Sequence, residues 1–168
     1  VGMAGSGMQA IAEWLIDAGW QVTGSDRSAI PEVVTRFQQI GAKLLRSHDP
    51  MQLPQQFDWL IYSPAVAADN PERSAARLQG VCESSYPQAL GRLMQSRHGI
   101  SIAGTHGKST TTALVGHLLK QAGLDPSILC GARLRNYDRS GMHGHGPLFV
   151  AESCEYRGHF LELTPQCI

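Results

Sequence analysis

The sequence has no excess of charge of either sign. Its 14 Lys and Arg residues balance 14 Asp and Glu residues over 168 positions. This balance gives no general attraction to nucleic acid or to a membrane surface. No apolar run approaches the roughly 18 residues that a membrane-spanning helix needs, and no secretory signal peptide is visible. We therefore expect neither a nucleic acid partner nor membrane insertion.

Motifs that pair cysteines are absent as well. The four cysteines, Cys82, Cys130, Cys154 and Cys167, lie far apart and form no CxxC motif. This spacing disfavours a zinc site or a disulfide framework and favours reduced thiols in the cytoplasm. The length of 168 residues predicts one or two domains, and an apolar content of 42% is enough for a packed core.

A glycine-rich loop over residues 104–109, Gly-Thr-His-Gly-Lys-Ser, lies between a short apolar run and a predicted helix over 110–121. Strand, loop and helix in this order build a phosphate cradle, because backbone N–H groups close around phosphate oxygens at a positive helix N-terminus. Lys108 can reach the outer phosphates, and the Ser109 hydroxyl is placed to ligate Mg²⁺. Ile102 stands where the strict P-loop has glycine, so this is a variant loop. An ordinary strand-to-helix turn is the alternative.

An acidic residue ends the last predicted strand, which covers 148–151 and stops at Glu152. If this strand lies beside the strand that precedes the loop, Glu152 is a second magnesium ligand or an acid that orients water. The alternative is a carboxylate that is merely solvated.

Residues 1–8 form a second glycine-rich turn, which leads into an amphipathic helix and a strand over 21–24. Asp26 follows about 20 residues after the glycines, where a dinucleotide-binding βαβ unit places an acid on a ribose hydroxyl. Ala4 replaces the second glycine of that fingerprint and limits how closely a pyrophosphate can approach. A Rossmann-like turn without a ligand is therefore the alternative.

Strands and helices alternate along the chain, which predicts a parallel, doubly wound α/β sheet. We predict a Rossmann-like domain over 1–97 and the start of a P-loop-type domain over 98–168. The polar, Gly-rich segment 133–146 is predicted to be a long loop, and its His143 and His145 lack the third ligand of a metal site. The apolar face of the helix 110–121 is predicted from Leu114, Val115, Leu118 and Leu119. Further helices are predicted at 31–40, 70–79 and 86–97, and further strands at 42–45, 59–62, 80–83 and 127–130.

Three segments together resemble the Mur ligases of peptidoglycan synthesis. Residues 2–8, with Gly-Ser-Asp at 24–26, resemble the UDP-sugar-binding opening of that family, and residues 97–112 resemble its ATP loop. In its histidine after Gly-Thr, His106, this loop resembles the branch of the family that joins L-alanine to UDP-N-acetylmuramate. Leu-Asp-Pro at 124–126 and Val-Ala-Glu at 150–152 continue the match, which covers nearly the whole chain. The sequence departs from the family at Ala4, at Ser109, at 130–132 and at 153–157, so the resemblance assigns no role to residues 130–132 or to Glu155.

The resemblance implies a ligase that uses ATP and Mg²⁺. The carboxylate of UDP-N-acetylmuramate would form an acyl phosphate, which L-alanine then attacks, in the synthesis of cell-wall precursors needed for cell shape and division. Lys108 and Glu152 are the implied catalytic residues, with Ser109 and Glu152 on magnesium, Asp26 at the uridine, and His48 as a weaker candidate near it. The implied ATP-binding residues are Gly104, Thr105, His106, Gly107, Lys108, Ser109 and Thr110, and the implied substrate-binding residues are Gly5, Ser6, Gly7, Met8, Asp26, Ser63, Pro64 and Ala65.

Three alternatives stay open. The first is a sister ligase that attaches a recycled tripeptide to the same UDP-sugar. The second is an NAD(P)-binding Rossmann domain fused to a kinase-like P-loop, and the third is a non-catalytic nucleotide-sugar-binding module. The resemblance also implies that the chain is a fragment, which binds the UDP-sugar without ligating it. The sequence leaves the oligomeric state open.

Overall fold

The first part of the chain alternates short strands with helices. The computed structural model describes residues 1–168, except for the side chains of Tyr156 and Arg157, which belong to the altered stretch 153–157. The predicted helices at 31–40, 70–79 and 86–97 are confirmed to within two residues at either end. The helices are α1 (Ser6–Asp17), α2 (Pro31–Gln39), α3 (Pro71–Leu78) and α4 (Tyr86–Gln95), and the strands are β1 (Thr23–Ser25), β2 (Lys43–Leu45), β3 (Trp59–Tyr62) and β4 (Cys82–Ser85), with a short 3-10 turn at Pro50–Gln52.

Local capping explains where two of these helices begin. The Asn70 side chain accepts hydrogen bonds from the backbone N–H groups of Glu72 and Arg73, and proline follows at the first helical position of α3. At the start of α4, Ser85 and Gln88 form a reciprocal capping box. These capping contacts are local in the sequence and stabilise the starts of both helices.

Two parallel strand pairs flank the first residues of the chain. β1 pairs with β2, and β3 pairs with β4. The backbone N–H of Gly2 donates to the Ser25 carbonyl at 2.8 Å, and the N–H of Ser63 donates to the Val1 carbonyl at 2.9 Å. Residues 1–3 therefore lie between β1 and β3. The glycine-rich turn that follows stands at the carboxyl ends of both strands, where parallel α/β sheets bind ligands.

The second part of the chain forms a four-stranded sheet in the order β5-β8-β6-β7. β5, β8 and β6 run parallel, and β7 is antiparallel to β6. Ile102 at the end of β5 pairs with Glu152 at the end of β8, so the loop after β5 begins beside this acid. The elements are β5 (His98–Ile102), α5 (Lys108–Gln121), β6 (Ser127–Leu134), β7 (Arg139–Met142), β8 (Leu148–Glu152) and a 3-10 segment at Tyr156–Glu162.

The prediction of a long loop over 133–146 is wrong. Part of this segment is a β-hairpin, because β6 continues to Leu134 and pairs with β7. Gly141 packs so closely on α1 that a Cβ atom there would lie 1.7 Å from the Ala10 carbonyl oxygen. The hairpin is therefore held by tertiary packing that its polar, Gly-rich composition did not indicate. His143, one of its two histidines, interacts with Arg97 and lies edge-on to the Trp14 ring.

The predicted apolar face of α5 is also wrong at two positions. Leu114 and Leu118 are 57% and 64% exposed. The helix instead packs on the sheet through Thr112 and Gly116, which are both buried. A Cβ atom at Gly116 would lie 2.6 Å from Cδ1 of Ile128, so this close approach selects small residues and turns the two leucines outward.

A common core and a buried carboxylate join the two parts of the chain. Trp14 of α1 packs with Phe149 of β8 in one hydrophobic cluster. Glu13, which is 3% exposed, accepts hydrogen bonds from the backbone N–H groups of Ser140 and Gly141 in β7. The orientation of α1 relative to the second sheet is therefore set by both apolar and polar contacts.

Two expectations about the whole chain concern thiols and membranes. The cysteines at 82, 130, 154 and 167 are all free thiols. Among the described residues, no helix has both the length and the apolar character needed to cross a bilayer.

Candidate nucleotide-binding site

The glycine-rich loop after β5 ends in an open helix N-terminus. α5 begins at Lys108, two residues earlier than predicted, and Gly107 precedes it with a φ of 78°, a left-handed conformation that favours glycine. No side chain caps this end of the helix. Because the first N–H groups of a helix have no partner within the helix, those of Lys108, Ser109 and Thr110 are available to an anion. The loop residues Gly104, Thr105 and His106 are exposed around them.

The structure brings the two predicted magnesium ligands together. The Ser109 hydroxyl donates a hydrogen bond to Oε2 of Glu152 at 3.1 Å, and the Gly131 N–H donates to Oε1. Hydroxyl and carboxylate oxygens are ligands that Mg²⁺ prefers, and the ion usually completes its shell with water and phosphate oxygens. Among the described side chains, no three His, Cys, Asp or Glu residues gather into a metal site. The pair therefore fits a magnesium ion that is shared with a bound phosphate.

Lys108 is held close to its own loop. Its ammonium donates to the Gly104 carbonyl at 2.6 Å and pairs with Glu155 at 3.2 Å. Glu155, which the resemblance left without a role, is thus a direct partner of the predicted phosphate-binding lysine. The Lys108 side chain is mostly buried, and that of Glu155 is 63% exposed.

A second open helix N-terminus faces the same region from the first part of the chain. Gly5 precedes α1 and no side chain caps the helix, so the N–H groups of Ser6, Gly7 and Met8 have no helical partner. These residues line a cavity of about 270 Å³ that Ser63, Pro64, Gly131 and Glu152 also line. Of the predicted substrate-binding residues after β3, Ala65 lies outside this lining. Glu152 therefore borders both the α5 loop and the cavity in front of α1.

Asp26 is next to the glycine-rich turn, but its carboxylate is engaged within the protein. Oδ2 accepts from the Ala4 N–H at 2.8 Å, and Oδ1 accepts from both the N–H and the hydroxyl of Ser28. Burial alone would raise the pKa of Asp26, yet the hydrogen bonds from Ser28 and Ala4 hold it below its ordinary value. The carboxylate thus ties β1 to the turn that starts α1.

The structure also assembles a buried polar cluster that the sequence did not reveal. Glu72, at the start of α3, is 1% exposed and accepts a hydrogen bond from the Ser25 hydroxyl. Nδ1 of His48 lies 3.0 Å from Oε2 of the same carboxylate. Because the three residues come from separate segments, spacing along the chain gave no signal for this contact. It places His48 beside the carboxyl end of β1, close to Asp26.

Tyr86 is the other residue of this region that the sequence did not single out. It begins α4 and lines the cavity between Gly7 and Glu152. Its place after a strand and at a helix start was visible in the sequence, but its direction depends on how α4 packs. The sequence also gave no signal for the Gly131 N–H, because this contact is made by a backbone group.

The fold is that of an α/β protein with mainly parallel, Rossmann-like strand pairing. Residues 1–98 match the family described as "Mur ligase family, catalytic domain". The chain belongs to the Mur ligase family.

Individual relatives are named in more detail. The chain is 39% identical over 168 residues to the UDP-N-acetylmuramate--L-alanine ligase of Sulfurihydrogenibium sp. (strain YO3AOP1), and the match covers 100% of this chain and 37% of the relative. It resembles the crystal structure of UDP-N-acetylmuramate-alanine ligase MurC from Thermotoga maritima with a TM-score of 0.83 and 28% identity, over 98% of this chain and 38% of that one. A murein peptide ligase from Psychrobacter arcticus gives the same TM-score of 0.83 and 28% identity, over 98% and 40% of the two chains. The chain thus spans little more than a third of the length of these proteins.

Proposed function

We propose that this chain forms the nucleotide-sugar-binding and ATP-binding part of a ligase that joins L-alanine to UDP-N-acetylmuramate. The observation that carries the proposal is the position of Glu152. This carboxylate meets the P-loop serine on one side and borders the cavity in front of α1 on the other. A nucleotide phosphate on α5 and a nucleotide-sugar on α1 would therefore meet beside the same acid.

At the α5 end, the chain supplies the groups that phosphoryl transfer needs. The transfer depends on positioning and charge neutralisation more than on a protein nucleophile. The open N–H groups of α5 and the Lys108 ammonium would hold the outer phosphates of ATP, after Lys108 leaves Glu155. Ser109 and Glu152 would hold Mg²⁺, which offsets the charge that develops on the phosphate oxygens.

At the α1 end, residues 5–8 would hold the diphosphate of the UDP-sugar. Their backbone N–H groups and the partial positive charge of the helix N-terminus suit a diphosphate. Ser63 and Pro64 would border the sugar, and His48 lies on the side of Asp26, where the uridine is expected. This placement directs the acidic end of the sugar toward Glu152 and the ATP phosphates.

The names of the relatives support the same substrates. Curated proteins at 39% identity or more are named as L-alanine ligases. This activity would place the protein in the cytoplasmic synthesis of peptidoglycan precursors, which fits its free thiols. The amino acid would bind elsewhere in the protein, since the partial positive charge at a helix N-terminus does not suit an ammonium group.

A ligase that attaches a tripeptide to the same UDP-sugar is a second candidate. The murein peptide ligase from Psychrobacter arcticus matches this fold with the same TM-score as the alanine ligase from Thermotoga maritima. Both candidates use the same nucleotide-sugar. Ligation assays that offer the whole protein L-alanine or the tripeptide separate them.

An NAD(P)-binding unit is supported less well. In that class the acid after the second strand accepts hydrogen bonds from a ribose. Asp26 would be equally placed for the ribose of a uridine nucleotide, and the relatives named above act on a UDP-sugar.

Thermal melting of this chain with each ligand tests the proposal. UDP-N-acetylmuramate and ATP with Mg²⁺, each at about a hundred times its Kd, should add roughly 2.7 kcal/mol of stability. NAD(H) should add none. Lys108→Met is the matched variant, since it should lose stabilisation by ATP and keep that by the UDP-sugar. Stabilisation by NAD(H) alone would contradict the proposal. So would the absence of stabilisation by both UDP-N-acetylmuramate and ATP.

A further inference from the structure

Tyr86 lines the cavity in front of α1. It is the first residue of α4 and is only partly exposed. Residues 5–8, Gly131 and Glu152 line the same cavity. The side chain therefore borders the same cavity as the proposed diphosphate site and the proposed magnesium ligand Glu152.

The tip of the ring is at the first turn of α1. A Cβ atom at Gly7 would lie 2.7 Å from Cζ of Tyr86 and 3.0 Å from its hydroxyl oxygen. Only glycine at position 7 lets the tyrosine come this close. The hydroxyl is thus held beside the N–H groups that no helical partner satisfies.

The Tyr86 hydroxyl is available to donate a hydrogen bond. Burial raises the pKa of Tyr86, and the charge of the Glu152 carboxylate raises it further. The phenol therefore keeps its proton throughout the neutral range. Among the side chains that the structure describes, none accepts a hydrogen bond from it.

We propose that the Tyr86 hydroxyl donates a hydrogen bond to the carboxylate of the acidic nucleotide-sugar. This inference rests on the proposed function, in which that carboxylate must extend from α1 toward phosphate beside Glu152. Glu152 repels an approaching carboxylate, and a neutral donor offsets the repulsion. A cationic side chain here would pair with Glu152 itself, whereas a phenol leaves that acid free for magnesium. Tyr86 is thus a specificity-determining residue for the acid sugar.

Isothermal titration of this chain with two nucleotide-sugars tests the inference. UDP-N-acetylmuramate carries the carboxylate, and UDP-N-acetylglucosamine has the same diphosphate without it. Tyr86→Phe should weaken binding of the first about 10- to 100-fold, the size of a lost hydrogen bond to a charged group, and that of the second less than about twofold. Tyr62→Phe is the matched control, because Tyr62 packs on Arg73 outside the cavity.

Each other outcome has a distinct meaning. An equal loss for both sugars would assign the donor to the diphosphate and overturn the carboxylate contact. Binding by Tyr86→Phe equal to that by Tyr62→Phe would overturn the inference and leave the proposed function standing. If the unmodified chain binds neither sugar, the proposed function fails, and the inference fails with it.

Discussion

The hydroxyl of Ser109 and the carboxylate of Glu152 are joined by a 3.1 Å hydrogen bond between the first turn of α5 and the end of β8. The second carboxylate oxygen is fixed by the Gly131 N–H. Both proposed magnesium ligands are thus held in place by contacts within the protein. Such preorganisation lowers the cost of assembling a charged site.

Removing the charge of Glu152 should uncouple ATP binding from magnesium. Glu152→Gln keeps the shape of the side chain but removes one negative ligand. We expect affinity for ATP with Mg²⁺ to fall at least about tenfold, the size of one interaction with a charged partner, while affinity for ATP with a chelator changes little. Titration calorimetry with and without Mg²⁺ measures this. Glu162→Gln, at an exposed carboxylate, is the control. An equal loss under both conditions would point to a general distortion.

Neutralising Glu155 should raise the affinity for ATP, whereas neutralising Glu152 should lower it. Glu155 holds the Lys108 ammonium, which ATP would need. Because the Glu155 side of this ion pair is 63% exposed and screened by water, Glu155→Gln should tighten ATP binding only about two- to fivefold. The gain should shrink at high salt, which screens the pair in the unmodified chain. Weaker ATP binding in this variant would mean that Glu155 itself contributes to the site.

Truncating Glu13 should destabilise the whole chain. Its buried carboxylate accepts from two backbone N–H groups of β7. Glu13→Ala leaves these donors unsatisfied, so the free energy of unfolding should fall by about 2–4 kcal/mol. Urea denaturation measures the loss. Glu32→Ala, at an exposed position of α2, should change stability by less than about 1 kcal/mol. A similar small effect at Glu13 would contradict its role in joining the two parts.

Asp26 should make the fold sensitive to acid. Its pKa in the folded chain lies below the ordinary value of 3.8, because hydrogen bonds from Ser28 and Ala4 outweigh the opposite effect of burial. A lowered carboxyl pKa stabilises the fold above the unfolded pKa, and this contribution is lost as pH falls through the folded value. Stability should therefore decrease as the pH falls below about 4.

Asp26→Asn provides the comparison. The variant should be about 1–3 kcal/mol less stable near pH 7, because it loses a charged acceptor. Its stability should change less than that of the unmodified chain as the pH falls below about 4, because the variant lacks the carboxylate whose pKa is lowered by folding. Denaturant titrations over this range measure both slopes. Parallel pH profiles would show that other carboxylates cause the acid sensitivity.

Local signals in the sequence were enough for most of the fold. Alternation of elements predicts the parallel sheets, and the helices predicted at 31–40, 70–79 and 86–97 lie within two residues of those observed. The hairpin at β7 escaped prediction because its burial depends on α1, far away in the sequence. The outward turn of Leu114 and Leu118 escaped it because Thr112 and Gly116 allow a closer helix–sheet contact than leucine does.

Part of the candidate site was also predicted from the sequence, and part was not. The loop around Lys108 and the acid at the end of β8 were predicted from motif and strand position, and the parallel pairing of β5 with β8 brings them together. The roles of Lys108 and Glu152 in binding stay predictions. The engagement of Asp26 with Ala4, and the placement of Tyr86 against Gly7, depend on side-chain directions that no motif encodes.

The contact between Glu13 and β7 also bears on how the chain folds during its synthesis. The acid and its partners are 127 and 128 residues apart. At about 5–20 residues per second, the ribosome needs roughly 6–25 seconds to deliver those partners after α1 is made. Throughout that interval the Glu13 carboxylate of α1 lacks its two hydrogen-bond donors. The apolar side of the helix, which includes Trp14, also lacks the later residues that bury it. Because exposed apolar surface favours aggregation of a nascent chain, the docking of β7 on α1 completes the protection of that helix.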